Sequence, residues 1–178
     1  MQVVDKIITN FINNKSFYIG EKVTMSEHMI QTAMLAEKAK CNDDLICSCL
    51  LHDYGHFILD NPDELVSQKK DGKHEDVSYQ HLKQYFKKNV IEPIKNHVKA
   101  KKFLARDKKY YQILSPASIT SLHLQGGVMN DDEAKEFQKE EFFDDSIKLR
   151  KFDEAAKKKG IEIKDINEYK DILISNLL

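Results

Sequence analysis

The chain has 178 residues, of which 41% are hydrophobic and 32% charged, and its formal net charge is -1. This length is enough for one well-buried core, and the near-neutral charge argues against nucleic acid or an anionic membrane as the main partner. The apolar stretches are too short to span a bilayer, and the charged N-terminus is unlike a secretory signal. We therefore expect a cytoplasmic protein, and no obligate protein partner is evident.

Apolar residues recur at the helical period of 3.6 along most of the chain, whereas strand alternation is hard to find. The predicted helices lie near residues 3–12, 25–39, 43–53, 74–86, 90–104, 116–125, 131 onward, 141–159 and 165–178. The residues that can cap them are Thr24 or Ser26, Asn42 or Asp43, Ser115, Asp131 and Asp165. Residues 57–73, with the turn signals Asn61-Pro62 and Asp71-Gly72, read as a loop. The sequence predicts one all-α domain over residues 1–178.

Histidine and aspartate residues recur in an order typical of a two-metal site. The candidate ligands are His28, His52, Asp53, His74, His97 and Asp153. They are far apart in the chain, so several helices would have to converge on one point. Imidazole and carboxylate ligands without thiolate suit iron, manganese or zinc at a catalytic site. His81 and His123 have no such placement and stay outside the prediction.

The pair His52-Asp53 carries the strongest local signal, because it directly follows the apolar run LICSCLL. Both side chains are expected near a buried helix end, where a carboxylate must be paired or must bind a cation. Taken alone, the pair is explained equally well by a metal site and by a core histidine followed by a polar residue at the helix end. The complete set of six residues favours one metal cluster.

Several longer segments resemble the mixed-valence di-iron oxygenases of the HD-domain superfamily, most of whose members are phosphohydrolases. These segments are YIGEKVTMSEH (18–28), LLHDYGH (50–56), HEDVS (74–78), EPIKNHVKAKKFL (92–104), LSPASITSLHLQGGVMNDDE (114–133) and LRKFDEAAK (149–157). The resemblance covers about residues 17–160. It implies a single HD-domain helical bundle around a buried dinuclear metal site, with the C-terminal helix 165–178 packing on it.

The resemblance further implies two iron ions bridged by Asp53. The ligands of the first iron would be His28, His52, Asp53 and Asp153. The ligands of the second would be Asp53, His74 and His97. The second iron would keep room for substrate and O2, as oxidative chemistry requires open positions.

Tyr18 and Glu21 match a lid pair of that family. The tyrosine would close an iron position until substrate arrives, and the glutamate would help gate it and meet an amine of the substrate. The alternative is that the segment YIGE is only a turn.

The remaining pocket residues implied by the resemblance are His56, Lys101, Ser118, Gln125 and Arg150. His56 and Lys101 each follow a candidate histidine by four residues, which places both on the same helical face as that ligand. Arg150 precedes Asp153 by three, and a guanidinium can engage two oxygens of a phosphonate. For Lys101 the alternative is a solvated basic face, and for Gln125 a structural role is equally open.

The function implied is O2-dependent cleavage of the C–P bond of a small 1-hydroxyphosphonate. The expected reaction converts 2-amino-1-hydroxyethylphosphonate to glycine and phosphate. One alternative is a metal-dependent HD-family phosphohydrolase acting on a small phosphate ester, which would need the same six ligands. Another is a catalytically silent metal or ligand sensor. Tyr18 and Glu21 separate the oxygenase from the hydrolase, because water-activating chemistry has no need of a gating tyrosine.

Overall fold

The computed structural model describes residues 2–18, 20–59 and 71–178, and within these ranges the fold is all-α, as predicted. The α-helices are α1 (Gln2–Asn13), α2 (Met25–Lys38), α3 (Asp43–Leu51), α4 (His74–Leu82), α5 (Lys88–Leu104), α6 (Lys108–Ile113), α7 (Pro116–Leu124), α8 (Asp131–Phe137), α9 (Phe143–Ala155) and α10 (Lys170–Ser175). Two short 3-10 helices cover Tyr54–Phe57 and Ile166–Tyr169. The strand-like pairings of the described residues are two isolated bridges, Phe17 with Thr24 and Phe86 with Leu177.

Side-chain caps set several of the predicted helix starts. Thr24, rather than Ser26, caps α2: its hydroxyl accepts from the N–H of Glu27, whose carboxylate accepts from the N–H of Thr24. The hydroxyl of Ser26 is buried and donates to the carbonyl of Phe11, so it ties α2 to α1. Asn42 caps α3 in the same local way, by accepting from a backbone N–H of the first turn.

Helix α5 lies at the centre of the bundle. It packs against α9, α4 and α3, while α2 packs against α3 and α9. All residues of α3 from Leu45 to Leu51 are buried, so the chain that follows this helix starts inside the core. Burying a large apolar side chain contributes about 1.5–3 kcal/mol, and the apolar residues of α3 therefore hold His52 and Asp53 at a buried position.

Three helix predictions were wrong in their bounds. The helix predicted over 74–86 ends at Leu82, after which Phe86 pairs with Leu177 near the C-terminus. The helix predicted over 141–159 ends at Ala155, because the carbonyl of Ala156 turns to meet His28. The final helix is divided into a 3-10 turn and α10.

Two further local features differ from the prediction. Helix α6 was not predicted, although Asp107 caps it by accepting from two backbone N–H groups. Asn130, not Asp131, caps α8.

The C-terminal segment lies on the helical core. Helix α10 contacts α3 and α1, and its Leu173 is fully buried. That the whole chain forms one domain stays a prediction. No described helix is long and apolar enough to cross a membrane. Ile19 and residues 60–70, including the predicted turn at Asn61-Pro62, lie outside the described residues.

Candidate metal centre and substrate pocket

The side chains of the six candidate ligands meet inside the bundle. They are His28 from α2, His52 and Asp53 from the end of α3, His74 from the start of α4, His97 from α5 and Asp153 from α9. The most exposed of them, His74, has 13% of its side chain accessible. The close packing of the 3-10 helix Tyr54–Phe57 on α4 depends on Gly55, since a Cβ there would lie 2.1 Å from the carbonyl oxygen of His74.

Asp53 lies between two groups of histidines. Its Oδ2 atom is 3.5 Å from Nε2 of His28 and 3.4 Å from Nε2 of His52. Its Oδ1 atom is 3.2 Å from Nε2 of His74 and 3.5 Å from Nε2 of His97. Each oxygen therefore faces its own pair of imidazole nitrogens, as in a carboxylate that bridges two ions.

Asp153 joins the first of these groups. Its Oδ1 atom is 3.3 Å from Nε2 of His28 and 3.9 Å from Nε2 of His52. Its Oδ2 atom accepts a hydrogen bond from Arg150. The carboxylate is thus oriented by the guanidinium on one side and presents its other oxygen to the imidazoles.

Backbone carbonyls determine which nitrogen of three rings faces the cluster. The Nδ1–H groups donate to carbonyl oxygens as follows: His28 to Ala156 at 3.0 Å, His52 to Cys49 at 2.9 Å and His97 to Ile94 at 2.6 Å. Because the proton is on Nδ1, the lone pair of Nε2 points into the cluster. Metal-binding histidines are oriented by this kind of outer hydrogen bond.

Three oxygens of the buried carboxylates have no donor among the described residues. Both oxygens of Asp53 and Oδ1 of Asp153 are buried and accept no hydrogen bond from the described residues. Burial alone raises the pKa of the Asp53 carboxyl, but the neighbouring histidines, His52 foremost, hold it well below its usual range. An ionised buried carboxylate without donors is unfavourable unless it binds a cation. The cluster therefore suits a metal site.

A cavity of about 390 Å³ opens onto this cluster. It is lined by His74, His97 and Asp153 of the cluster. The structure also brings to it all the pocket residues predicted from the sequence, namely Tyr18, Glu21, His56, Lys101, Ser118, Gln125 and Arg150. His81 and His123, which were left out of the prediction, do not line it.

The segment with Tyr18 and Glu21 forms a turn over the pocket. The N–H of Glu21 donates to the carbonyl of Tyr18 at 2.8 Å, and Gly20 between them has a φ of +76°. A Cβ at Gly20 would lie 2.9 Å from the Cβ of Ala117, so the turn packs directly on α7. The ring of Tyr18 stacks on the ring of His28. The segment is therefore a turn, and it also contacts the cluster.

Lys101 is buried, with 5% of its surface accessible. Its Nζ atom donates to the hydroxyl of Ser121 at 2.9 Å. Burial, followed by the nearby Arg150, lowers the pKa of Lys101 to about 7. The alternative of a solvated basic face does not hold for this residue.

Arg150 has more protein partners than the sequence indicated. Its guanidinium donates to the carboxylates of Asp153 and Glu154. It also donates to the hydroxyl of Tyr110 at 3.0 Å and to that of Ser118 at 3.3 Å. Arg150 therefore orients Asp153 as well as lining the pocket.

His56 and Gln125 each present a buried polar atom without a partner among the described residues. These atoms are Nδ1 of His56 and Oε1 of Gln125. The ring of His56 stacks on that of His74, with centroids 4.4 Å apart. Burial, followed by His74, lowers the pKa of His56 to about 3, so its ring is neutral. Both atoms are available to a bound molecule.

Two charged residues linked to Arg150 were not found from the sequence. Glu154 accepts from Arg150 and from Lys157, and Lys157 lines the cavity. A signal was present, because Arg150, Asp153, Glu154 and Lys157 follow the spacing i, i+3, i+4, i+7 of one helical face. The spacing does not show which part of the protein this helical face contacts.

The HD-domain family matches residues 25–125. The chain is 42% identical over 159 residues to a hydroxymethylphosphonate dioxygenase of Gimesia maris, covering 88% of this chain and 79% of that protein. It is 39% identical over 149 residues to a [1-hydroxy-2-(trimethylamino)ethyl]phosphonate dioxygenase (glycine-betaine-forming) of Leisingera caerulea, covering 83% and 76%. It is 37% identical over 165 residues to the uncharacterized protein L432 of Acanthamoeba polyphaga mimivirus, covering 91% and 75%.

The fold, the His-Asp cluster and these matches define one class: the chain belongs to the HD-domain family. Within that family it is a PhnZ-like phosphonate oxygenase, as its similarity to the two phosphonate dioxygenases indicates. The resemblance seen in the sequence is confirmed.

Proposed function

We propose that this protein is a di-iron oxygenase that uses O2 to cleave the C–P bond of a small 1-hydroxyphosphonate. The observation that carries the proposal is the position of Asp53. Its two oxygens face separate histidine pairs, in a cluster whose His74 and His97 line a pocket together with Lys101 and Arg150. The names of two relatives, both dioxygenases of hydroxyphosphonates, support the same chemistry.

The proposed ligands divide into two sets that share Asp53. The first iron would be held by His28, His52, Asp53 and Asp153, and the second by Asp53, His74 and His97. The unpartnered oxygens of Asp53 and Asp153 support this division. When bound, the iron pair supplies the redox chemistry with O2 that the side chains themselves cannot provide.

The phosphonate would be recognised by the cationic wall of the pocket. The ammonium of Lys101 has three N–H donors, and Ser121 takes one of them in the described structure. An anionic ligand near Lys101 favours its charged form, which opposes the effect of burial on the pKa. Arg150 would add guanidinium N–H donors, Ser118 also lines this part of the site, and His56 would offer its unpartnered ring nitrogen.

The lid turn would orient the carbon end of the substrate and exclude water. Glu21 lies in the pocket wall, where its carboxylate would meet an amine such as that of 2-amino-1-hydroxyethylphosphonate. Tyr18 covers the cluster from above His28. Holding the substrate in one orientation in a dry site raises the rate of the reaction and suppresses side reactions.

The reaction consumes one O2 for each C–P bond, and no external reductant is needed for the balance. The carbon that carried phosphorus becomes a carboxylic acid, and phosphorus leaves as phosphate. From 2-amino-1-hydroxyethylphosphonate the products are glycine and phosphate.

The test is phosphate release from 2-amino-1-hydroxyethylphosphonate and from hydroxymethylphosphonate by iron-loaded protein, in matched aerobic and anaerobic samples. Release that requires O2 is the expected result. Equal release with and without O2, or cleavage of a simple phosphate ester only, would contradict the oxygenase and favour the hydrolase. The Asp53→Asn variant, purified and loaded in the same way, is the matched control for contaminating phosphatase.

A further inference from the structure

Lys157 is the pocket cation that the proposed chemistry leaves without a role. It lies two residues beyond the end of α9, and only 9% of its side chain is accessible. Its Nζ atom donates to the hydroxyl of Ser118 at 2.7 Å and to the carboxylate of Glu154 at 3.0 Å. A buried ammonium with these fixed partners is held in one position at the pocket wall.

Lys157 also faces the lid. Its Nζ atom is 3.5 Å from Oε1 of Glu21, and it lies 5.9 Å from the centroid of the Tyr18 ring. The same oxygen of Glu21 accepts a hydrogen bond from the hydroxyl of Ser115 at 2.6 Å, and this hydroxyl also accepts from Lys157 at 3.2 Å. Lys157 therefore joins the lid turn to α7 and α9, and it balances the charge of the lid carboxylate.

This arrangement affects how the pocket accepts a charged substrate. The carboxylate of Glu21 is the group that a substrate ammonium would approach, yet Lys157 already lies beside it. Opposite charges within a few ångströms attract strongly in a partly buried site, and like charges repel to a similar extent. A substrate ammonium must therefore share Glu21 with Lys157 and lie close to a second cation, whereas a substrate without an ammonium meets no such penalty.

We propose that Lys157 is a specificity-determining positioning residue, which fixes Glu21 and shifts the preference of the pocket toward 1-hydroxyphosphonates that carry no ammonium group. This inference rests on the proposed function and deepens it by naming the charge class of the substrate. The phosphonate group is common to both substrate classes, so loss of long-range attraction to it affects both classes alike. The ratio of the kcat/KM values for the two substrate classes therefore reports the interaction at Glu21.

The experiment measures kcat/KM for hydroxymethylphosphonate and for 2-amino-1-hydroxyethylphosphonate with iron-loaded protein. Lys157→Gln removes the charge while keeping an N–H donor for Ser118 and Glu154, and Lys157→Met removes both. In each variant the ratio should move about tenfold toward the ammonium substrate, mainly through KM, which corresponds to about 1.4 kcal/mol. Lys157→Arg, which keeps the charge, should restore the wild-type ratio. Lys159→Gln removes an exposed lysine two positions away and should leave the ratio unchanged.

Equal losses for both substrates in the charge-removing variants would overturn the inference, since a merely structural residue acts on both alike. Loss of metal or of the folded structure in both Lys157→Gln and Lys157→Met would also overturn the inference, because Lys157 would then have a structural role. If the wild-type protein releases no phosphate from either substrate with O2, it is the proposed function that fails.

Discussion

The ring of Tyr18 lies nearly parallel to the imidazole of His28, with 4.1 Å between the centroids and 9° between the planes. This stack joins the lid turn directly to a ring of the candidate metal cluster. Burial, followed by the charge of Asp53, raises the pKa of Tyr18 well above its usual value. The hydroxyl therefore stays protonated at neutral pH. Because the ring of Tyr18 lies on the ring of His28, a movement of the lid turn would change how much of the cluster Tyr18 covers.

Replacing Tyr18 by Phe keeps the stack on His28 and removes only the hydroxyl. If the hydroxyl protects the iron site before substrate arrives, the iron-loaded variant should lose activity in air several-fold faster than wild type. Adding substrate first should abolish the difference. Residual activity after timed exposure to air measures this, and identical decay of the two proteins would show that the hydroxyl has no protective role.

Gly20→Ala should weaken the contact of the lid turn with α7 as well as the fold. The alanine meets a positive φ and places its Cβ 2.9 Å from that of Ala117, which pushes the turn away from α7. Gly160→Ala is the matched control, since its φ is +74° but no atom of the described residues lies within 4 Å of the added Cβ. Both variants should lose about 1–2 kcal/mol of unfolding free energy from backbone strain. Only Gly20→Ala should raise KM. Equal KM values for the two variants in steady-state assays would show that the contact of the lid turn with α7 does not affect substrate binding.

Asp53→Asn should lower the iron content from two ions per chain to one or fewer. An amide offers one neutral oxygen in place of a carboxylate whose two oxygens face two histidine pairs. Metal analysis after identical loading measures the stoichiometry, and thermal unfolding tests for an accompanying loss of stability. His123→Gln changes an exposed histidine outside the cluster and should keep both ions. Two ions in Asp53→Asn would argue against the bridging assignment.

Arg150→Met should destabilise the protein by about 3–5 kcal/mol, because it removes the guanidinium that pairs with two buried carboxylates. The carboxylates concerned are those of Asp153 and Glu154. Arg150→Lys keeps the charge but not the fork of N–H donors, so its loss should be smaller. Urea unfolding of the three proteins gives the free energies, and a loss below about 1 kcal/mol in Arg150→Met would show that these pairs contribute little.

Tyr169 should make the stability of the protein depend on pH in the alkaline range. Its hydroxyl donates to Glu37 at 3.0 Å, and burial, followed by Glu37, raises its pKa. A group whose pKa is raised in the fold stabilises fully below its unfolded pKa of about 10, and this contribution is lost as the pH rises further. The stability difference between wild type and Tyr169→Phe should therefore shrink between about pH 9 and pH 11. Urea unfolding across this range measures it, and a constant difference would contradict the linkage.

The sequence by itself determined the helices that start with a local cap and the types of residue that form the cluster. Thr24 and Asn42 cap α2 and α3 through bonds to backbone groups within a few residues, so short-range chemistry was enough to limit each cap to two candidates. The order of histidines and aspartates, with the longer segments around them, was enough to indicate the HD-domain family. Imidazole and carboxylate in that order specify a kind of chemistry before any distance is known.

Only the tertiary structure decided how those residues share their partners. The end of α9 depends on the bond from Nδ1 of His28 to the carbonyl of Ala156, which joins positions far apart in the chain. The burial of Lys101 depends on how α5 faces the pocket, and the contact of Lys157 with Glu21 depends on where the lid turn meets the end of α9. The sequence of a helical face is the same whether a charged side chain on it faces water or a carboxylate. The packing of the helices decides which of the two it meets, and with that its electrostatic role.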